Sequence, residues 1–274
     1  MPEQNAKYQR YLELIAGLRL MDDNFFSEAL DGKIAPVQYI LNTILERDDL
    51  RVLHTEAQVE YKSATRRSIK LDIRAVDTEG RVMDIEIQRA EQGSGVRRAR
   101  FHSSMIDRTL LAKGDDFEDL VDTYVIFITE KDKFSAGLPL YHVERTIPEL
   151  NHTVFGDGAH IIYVNGEFRD LENPIGRLMY DMNCTDADEM LNPLLAEEVR
   201  YLKETEGGRV QMCRAFEEIA FEAAKEAAEK AKHDANIAAA LKMIARGRMT
   251  LEEISEDSGL PLDEVKELAQ KEPA

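Results

Sequence analysis

The stretch 68–88 constrains this chain most. It reads Ser68-Ile69-Lys70-Leu71-Asp72-Ile73-Arg74-Ala75, then Asp77-Thr78-Glu79-Gly80, then Met83-Asp84-Ile85-Glu86-Ile87-Gln88. Apolar and polar residues alternate at period two on both sides of a turn signal, which predicts a β-hairpin. Leu71, Ile73 and Ala75 with Met83, Ile85 and Ile87 form its core face, so Asp72, Arg74, Asp84, Glu86 and Gln88 share the other. A turn centred near Thr78-Glu79 sets Asp72 opposite, or nearly opposite, Glu86, with Cβ atoms about 4.5–5.5 Å apart. Two carboxylates that close repel each other. A divalent cation between them relieves the repulsion, since hard cations take several oxygen ligands. So does Arg74 or a lysine, and so does a raised carboxyl pKa. The same alternation also describes the wet face of an ordinary antiparallel sheet.

The flanking sequence supplies the rest of an α/β pattern. Helical spacing of apolar residues marks 6–20, and a second stripe of Val37, Ile40, Leu41, Ile44 and Leu45 follows Pro36. Between them, Asp22, Asp23 or Asn24 is placed to cap a helix. Residues 51–62 read as a strand before the hairpin, whose own strands are expected over 68–76 and 82–90. A helix over 96–113 follows, expected to stop near Gly114. The run Tyr124-Val125-Ile126-Phe127-Ile128 reads as a strand buried on both faces, with further strands near 140–146 and 159–164. The order is helix, three strands, helix, strand, then more strands.

Charge argues in two directions. The chain carries 35 Lys+Arg against 53 Asp+Glu, a net charge of −18, which opposes general binding to phosphate backbones. Yet Lys62, Arg66, Arg67, Lys70, Arg74, Arg97, Arg98 and Arg100 gather around the hairpin and the helix after it. Arginines at a helix N-terminus do not serve the helix dipole. A basic helix entrance directly after paired acids suits a phosphodiester, with acids for a metal and bases for phosphates. Two cysteines, Cys184 and Cys213, show no zinc spacing, and no apolar run reaches membrane-spanning length. The N-terminal segment lacks the basic and apolar regions of a signal peptide. The expectation is a cytoplasmic protein without a membrane partner.

These segments resemble the PD-(D/E)xK nuclease superfamily, and most closely its transposase-associated branch, the Rpn-type recombination-promoting nucleases. The resemblance covers residues 20–145 through DDNFF, LNTIL, LDIRA, DIEIQ, RRARFHSSMIDRTLLAKGDDF, TYVIFIT and YHVERT, in that order. It implies a restriction-endonuclease-like αβββαβ core with a mixed sheet, followed by an α-helical extension. It also implies a DNA endonuclease that hydrolyses phosphodiester bonds with Mg²⁺ or Mn²⁺, associated with recombination or a mobile element. By the resemblance, Asp72, Glu86 and the Ile87 carbonyl bind the metal, and Gln88 stands where the superfamily has its lysine. Gln88 carries no charge and accepts no proton, but it can orient a water molecule by hydrogen bonds. Arg98, Arg100 and Arg74 are the expected phosphate contacts, and Asp23, Glu46 and Asp84 the possible additional acids. The alternative is a catalytically weak DNA-binding or interaction module that keeps the fold.

Three segments are expected: 1–173 as the nuclease-like domain, 174–248 as a helical extension, and 249–274 as a degenerate helix-turn-helix. Residues 209–245 are rich in Ala, Glu and Lys, the composition of a long helix. Thr250-Leu251-Glu252-Glu253 is a capping box, and Leu251, Ile254, Leu260, Val265 and Leu268 would form a small core. The last helix offers Asp263, Glu264 and Glu267 where base readout needs basic or amide side chains. A helical interaction segment, with possible homo-oligomerisation, is the expected role.

Overall fold

In the computed structural model, which describes residues 2–61, 68–89 and 93–271, three helices precede the first strand. They are α1 (Pro2–Gly17), α2 (Asp23–Leu30) and α3 (Ile34–Leu45). Strands β1 (Val52–Tyr61), β2 (Ile69–Asp77) and β3 (Val82–Gln88) follow, then α4 (Val96–Leu110) and β4 (Thr123–Thr129). After these come β5 (Leu140–Val143), a small ribbon of β6 (Thr146–Ile147) and β7 (Thr153–Val154), and β8 (Ala159–Asn165). The helical remainder comprises α5 (Pro174–Asn183), α6 (Pro193–Glu204), α7 (Glu206–Arg246), α8 (Leu251–Ser258) and α9 (Leu262–Lys271). Lys62, Arg66 and Arg67 of the basic cluster lie outside the described residues.

The main sheet has six strands in the order β1-β2-β3-β4-β8-β5. The pairs β1/β2 and β2/β3 are antiparallel, β3/β4 and β4/β8 parallel, and β8/β5 antiparallel. A parallel pair needs a crossover, and α4 is the one between β3 and β4. The fold is therefore the mixed α/β arrangement expected, with a helical C-terminal region. The parallel centre explains the apolar run in β4, which is buried on both faces.

Three expectations need correction. The polar face of β3 is not wet: Asp84 and Glu86 are fully buried, like Met83 and Ile85 on the opposite face. The cause is α4, which packs on β4 and β8 and closes over the acids. Second, α4 ends at Leu110, not near Gly114, because Leu111 is extended (φ −109°, ψ 131°). Third, Asp22 precedes α2 without a side-chain cap bond, its carboxylate accepting instead from the Arg19 backbone N–H and the Arg89 guanidinium.

The chain divides into two compact units, residues 1–213 and 214–274. The second has its own small core of Ala240, Ile254, Leu260 and Val265, with Leu251 and Leu268 packed against it. Both bonds of the Thr250–Glu253 capping box form, and Gly259 (φ 71°) takes the left-handed position that ends α8. Among the described residues, no helix is long and apolar enough to cross a membrane.

Candidate active site

The site grows from the open end of the hairpin. Ladder pairs Val76↔Val82, Arg74↔Asp84 and Ile73↔Ile85 fix the register, and its continuation sets Asp72 across from Glu86. There the ladder gives way to side chains. The Asp72 backbone N–H donates to Glu86 Oε1 at 3.1 Å, and the Ile87 N–H donates to Asp72 Oδ2 at 2.8 Å. Each carboxylate thus satisfies an amide of the opposite strand, and the two acids are held at short range by backbone.

Asp84, two residues before Glu86 and on the same face, joins them. Its Oδ2 lies 3.2 Å from His102 Nδ1, while its Oδ1 is buried with no hydrogen-bond partner among the described residues. Arg98 Nη2 donates to Glu86 Oε2 at 3.0 Å. Asp23, at the start of α2, lies close enough to interact with the Asp72 side chain.

Burial raises all four acids. Burial is the largest cause for Asp72, followed by the charges of Glu86 and Asp23. Burial and then Asp72 raise Asp84 well above the ordinary carboxylate range. Burial and then Asp84 push Glu86 up to about 8, with His102 and Arg98 only partly opposing. Asp23 is raised by desolvation of its carboxyl, against the hydrogen bond from Asp72 and the charges of Lys70 and Arg98. A set of buried carboxyls with raised pKa values at the C-terminal end of a parallel strand is where an α/β sheet places ligands.

Not every predicted residue arrives. Glu46 caps the far end of α3 in a left-handed conformation and lines a different cavity with Tyr39 and Asn173. Arg74 stands across the ladder from Asp84, but its Nε donates to Tyr61 Oη. Arg100 is exposed on α4. Gln88 ends β3 half-buried, its carbonyl accepting from the Glu130 N–H. It borders a cleft of about 170 Å³ lined also by Arg89, Ser94, Thr129, Lys131, Asp132 and Lys133.

Two contributions carry little signal in the sequence. His102 is buried within the cluster, and ligand atoms of Asp84, Glu86 and His102 all lie within 4.8 Å of one another, close enough to share a metal ion. Its only sequence signal is the four-residue spacing from Arg98. The cleft bases Arg89, Lys131 and Lys133 sit just past the ends of β3 and β4, a position visible only once the two strands are known to be parallel neighbours.

The carboxylates fit a divalent cation on the chemistry of the donor set. Several carboxyl oxygens converge, with Arg98 and His102 in hydrogen-bond contact, and Asp84 Oδ1 is a buried acceptor with no donor among the described residues. In comparison with known families, the model for PD-(D/E)XK nuclease family transposases fits residues 25–243. It takes in every acid of the cluster except Asp23. No curated protein and no solved structure matches.

Proposed function

The chain belongs to the PD-(D/E)XK nuclease family transposases, and from that premise we propose that it is a cytoplasmic, metal-dependent DNA endonuclease hydrolysing phosphodiester bonds. The observation that carries this reading is the buried cluster of Asp72, Asp84 and Glu86, held together by backbone amides and left with an unpartnered oxygen. Asp72, Glu86 and the Ile87 carbonyl would hold Mg²⁺ or Mn²⁺, with Asp84 Oδ1 a further oxygen donor. A bound divalent ion lowers the pKa of water and neutralises charge on the phosphoryl oxygens.

The chain's own residues do the rest. Gln88, on the same face as Glu86 and two residues along, orients the attacking water through its amide. Arg98 stands half-exposed beside Glu86, where its guanidinium meets the phosphate of the strand to be cut. Arg100 and Lys133 add positive charge along the approach, while Arg89 is paired with Asp22 and Glu130 and Lys131 with Glu167. Asp23 supplies the additional acid from the helical layer.

Nicking of supercoiled plasmid tests this. Wild-type protein is expected to nick with Mg²⁺ or Mn²⁺ and not in EDTA, and Asp72→Ala to be inactive. Equal cleavage by Asp72→Ala would overturn the assignment. The glutamine in the lysine position favours one second reading, a weakly cleaving DNA-binding module. Metal-independent duplex binding without nicking would support that reading instead.

A further inference from the structure

Asp84, His102 and Arg98 form a connected chain of hydrogen bonds that ends on Glu86. His102 Nδ1 lies 3.2 Å from Asp84 Oδ2, Arg98 Nε donates to His102 Nε2 at 3.2 Å, and Arg98 Nη2 donates to Glu86 Oε2 at 3.0 Å. The roles along this chain are fixed by what each group is able to do. A guanidinium has only donors, so His102 Nε2 must be the nitrogen with the lone pair. In a neutral ring the proton then sits on Nδ1 and points at Asp84. The tautomer follows from the hydrogen-bond network.

We propose that Asp84 and His102 are a positioning pair that hinges Arg98, so that its guanidinium passes from Glu86 to the substrate phosphate while Nε stays pinned. The inference rests on the metal-dependent nuclease reading and deepens it. Without metal, Arg98 Nη2 donates to Glu86 Oε2. Once Glu86 serves a cation, Arg98 Nη2 loses that acceptor, but Nε keeps His102. The guanidinium is then freed at one edge only.

The surroundings support a hinge. His102 and Asp84 are buried, whereas the Arg98 side chain is 39 % exposed, so the fixed part is inside and the moving part faces solvent. His102 and Arg98 are one turn apart on α4, and the imidazole packs at 5.8 Å from the Phe127 ring. Direct metal ligation by His102 Nδ1 would require its proton to move to Nε2, which faces the Arg98 N–H donor. Asp84 can serve both partners, Oδ2 for His102 and Oδ1 for the cation, as ligating carboxylates commonly do.

The experiment uses full-length protein labelled with ¹⁵N in the histidine rings, with the His102 resonances assigned through His102→Gln. Expected is a protonated Nδ1 and an unprotonated Nε2, in metal-free protein and in excess Mg²⁺ alike, with Nε2 shifting in Arg98→Ala. Loss of the Nδ1 proton on adding Mg²⁺ would make His102 a ligand and overturn the proposal. Binding of a short duplex in Ca²⁺ gives the second readout. Arg98→Ala and His102→Leu should each weaken it by about tenfold, the value of one charge-assisted hydrogen bond. The double variant should be no weaker than either, and His102→Gln, whose carbonyl can accept from Arg98, should stay within about twofold of wild type. Unchanged affinity in His102→Leu, or additive losses, would also overturn it. If the wild type neither nicks nor binds DNA, the nuclease reading fails, while the ring-nitrogen signature still decides whether the hinge exists.

Discussion

The two ends of the β2–β3 hairpin both bury aspartate, with opposite results. At the turn, Asp77 is 1 % exposed and fully satisfied: Oδ1 accepts the N–H groups of Glu79 and Arg81, and Oδ2 accepts Arg81 Nε at 2.6 Å. At the open end, Asp72, Asp84 and Glu86 crowd together beside Arg98 and His102, and Asp84 Oδ1 has no partner among the described residues. Burial disfavours a charge equally in both places; what differs is whether the fold provides compensation. The turn end is built to hold the hairpin. The open end leaves that compensation to something that binds.

Removing Asp77 should have the largest effect. Asp77→Ala leaves two amides and the buried Arg81 Nε without their acceptor, though Arg81 Nη1 keeps Glu79, a loss of about 3 kcal/mol, the low end for a broken buried pair. Denaturant midpoints measure it, and nicking per folded molecule should be unchanged. At the other end the signs reverse. Asp72→Asn keeps an acceptor for the Ile87 N–H but loses the charge. Its nicking rate should fall by more than about 10²-fold, beyond the 10–100-fold typical when only a ligand's support is lost. Its metal-free stability should barely change. A stability loss as large as that of Asp77→Ala would erase the distinction between the two ends.

The smaller effects concern pH. Glu86 is pushed from 4.5 to about 8 in the folded protein. A raised carboxyl favours folding while it is protonated, so its contribution is complete below the unfolded value and is lost as pH rises through the folded one. The melting temperature of metal-free protein should therefore decline between about pH 5 and pH 8.5, and Mg²⁺ should restore it most at the upper end. Asp84 is the largest charge acting on Glu86. Asp84→Asn should flatten the decline and raise the metal-free melting temperature at pH 8.5 by a few degrees, at about 2–4 °C per kcal/mol for a protein of this size. An unchanged pH profile would mean that repulsion among the acids does not govern this end of the hairpin.

Much of this was legible in local sequence. Period-two alternation and the Asp77–Gly80 turn locate the hairpin and its register, because both are set by neighbours in the chain. Alternation shows that two faces differ, but not that one of them is wet. The burial of Asp84 and Glu86 comes from α4, which returns across the sheet after the hairpin. The same long-range packing separates Asp23, which reaches Asp72, from Glu46, which does not. His102 was hidden for a related reason: one histidine in a basic helix gains meaning only when the strand beneath it proves to carry Asp84.

Gln88 gives the finest test of what the open end lacks. It lies two residues beyond Glu86, its backbone held by the Glu130 N–H, beside a cleft where Arg89, Lys131 and Lys133 meet Asp132 and where Arg89 and Lys131 are already paired with acids. Gln88→Lys adds a cation beside the carboxylates, which draws their pKa values down toward the ordinary range. It also adds a donor able to hold water. If the open end is short only of positive charge, the variant should retain activity or gain up to about tenfold, with its pH–rate profile displaced toward acid. If instead it loses all activity while still binding metal, the amide carbonyl must be accepting a hydrogen bond that an ammonium group cannot accept. The open end would then be specialised for orienting water, and charge compensation alone would not explain how it differs from the turn.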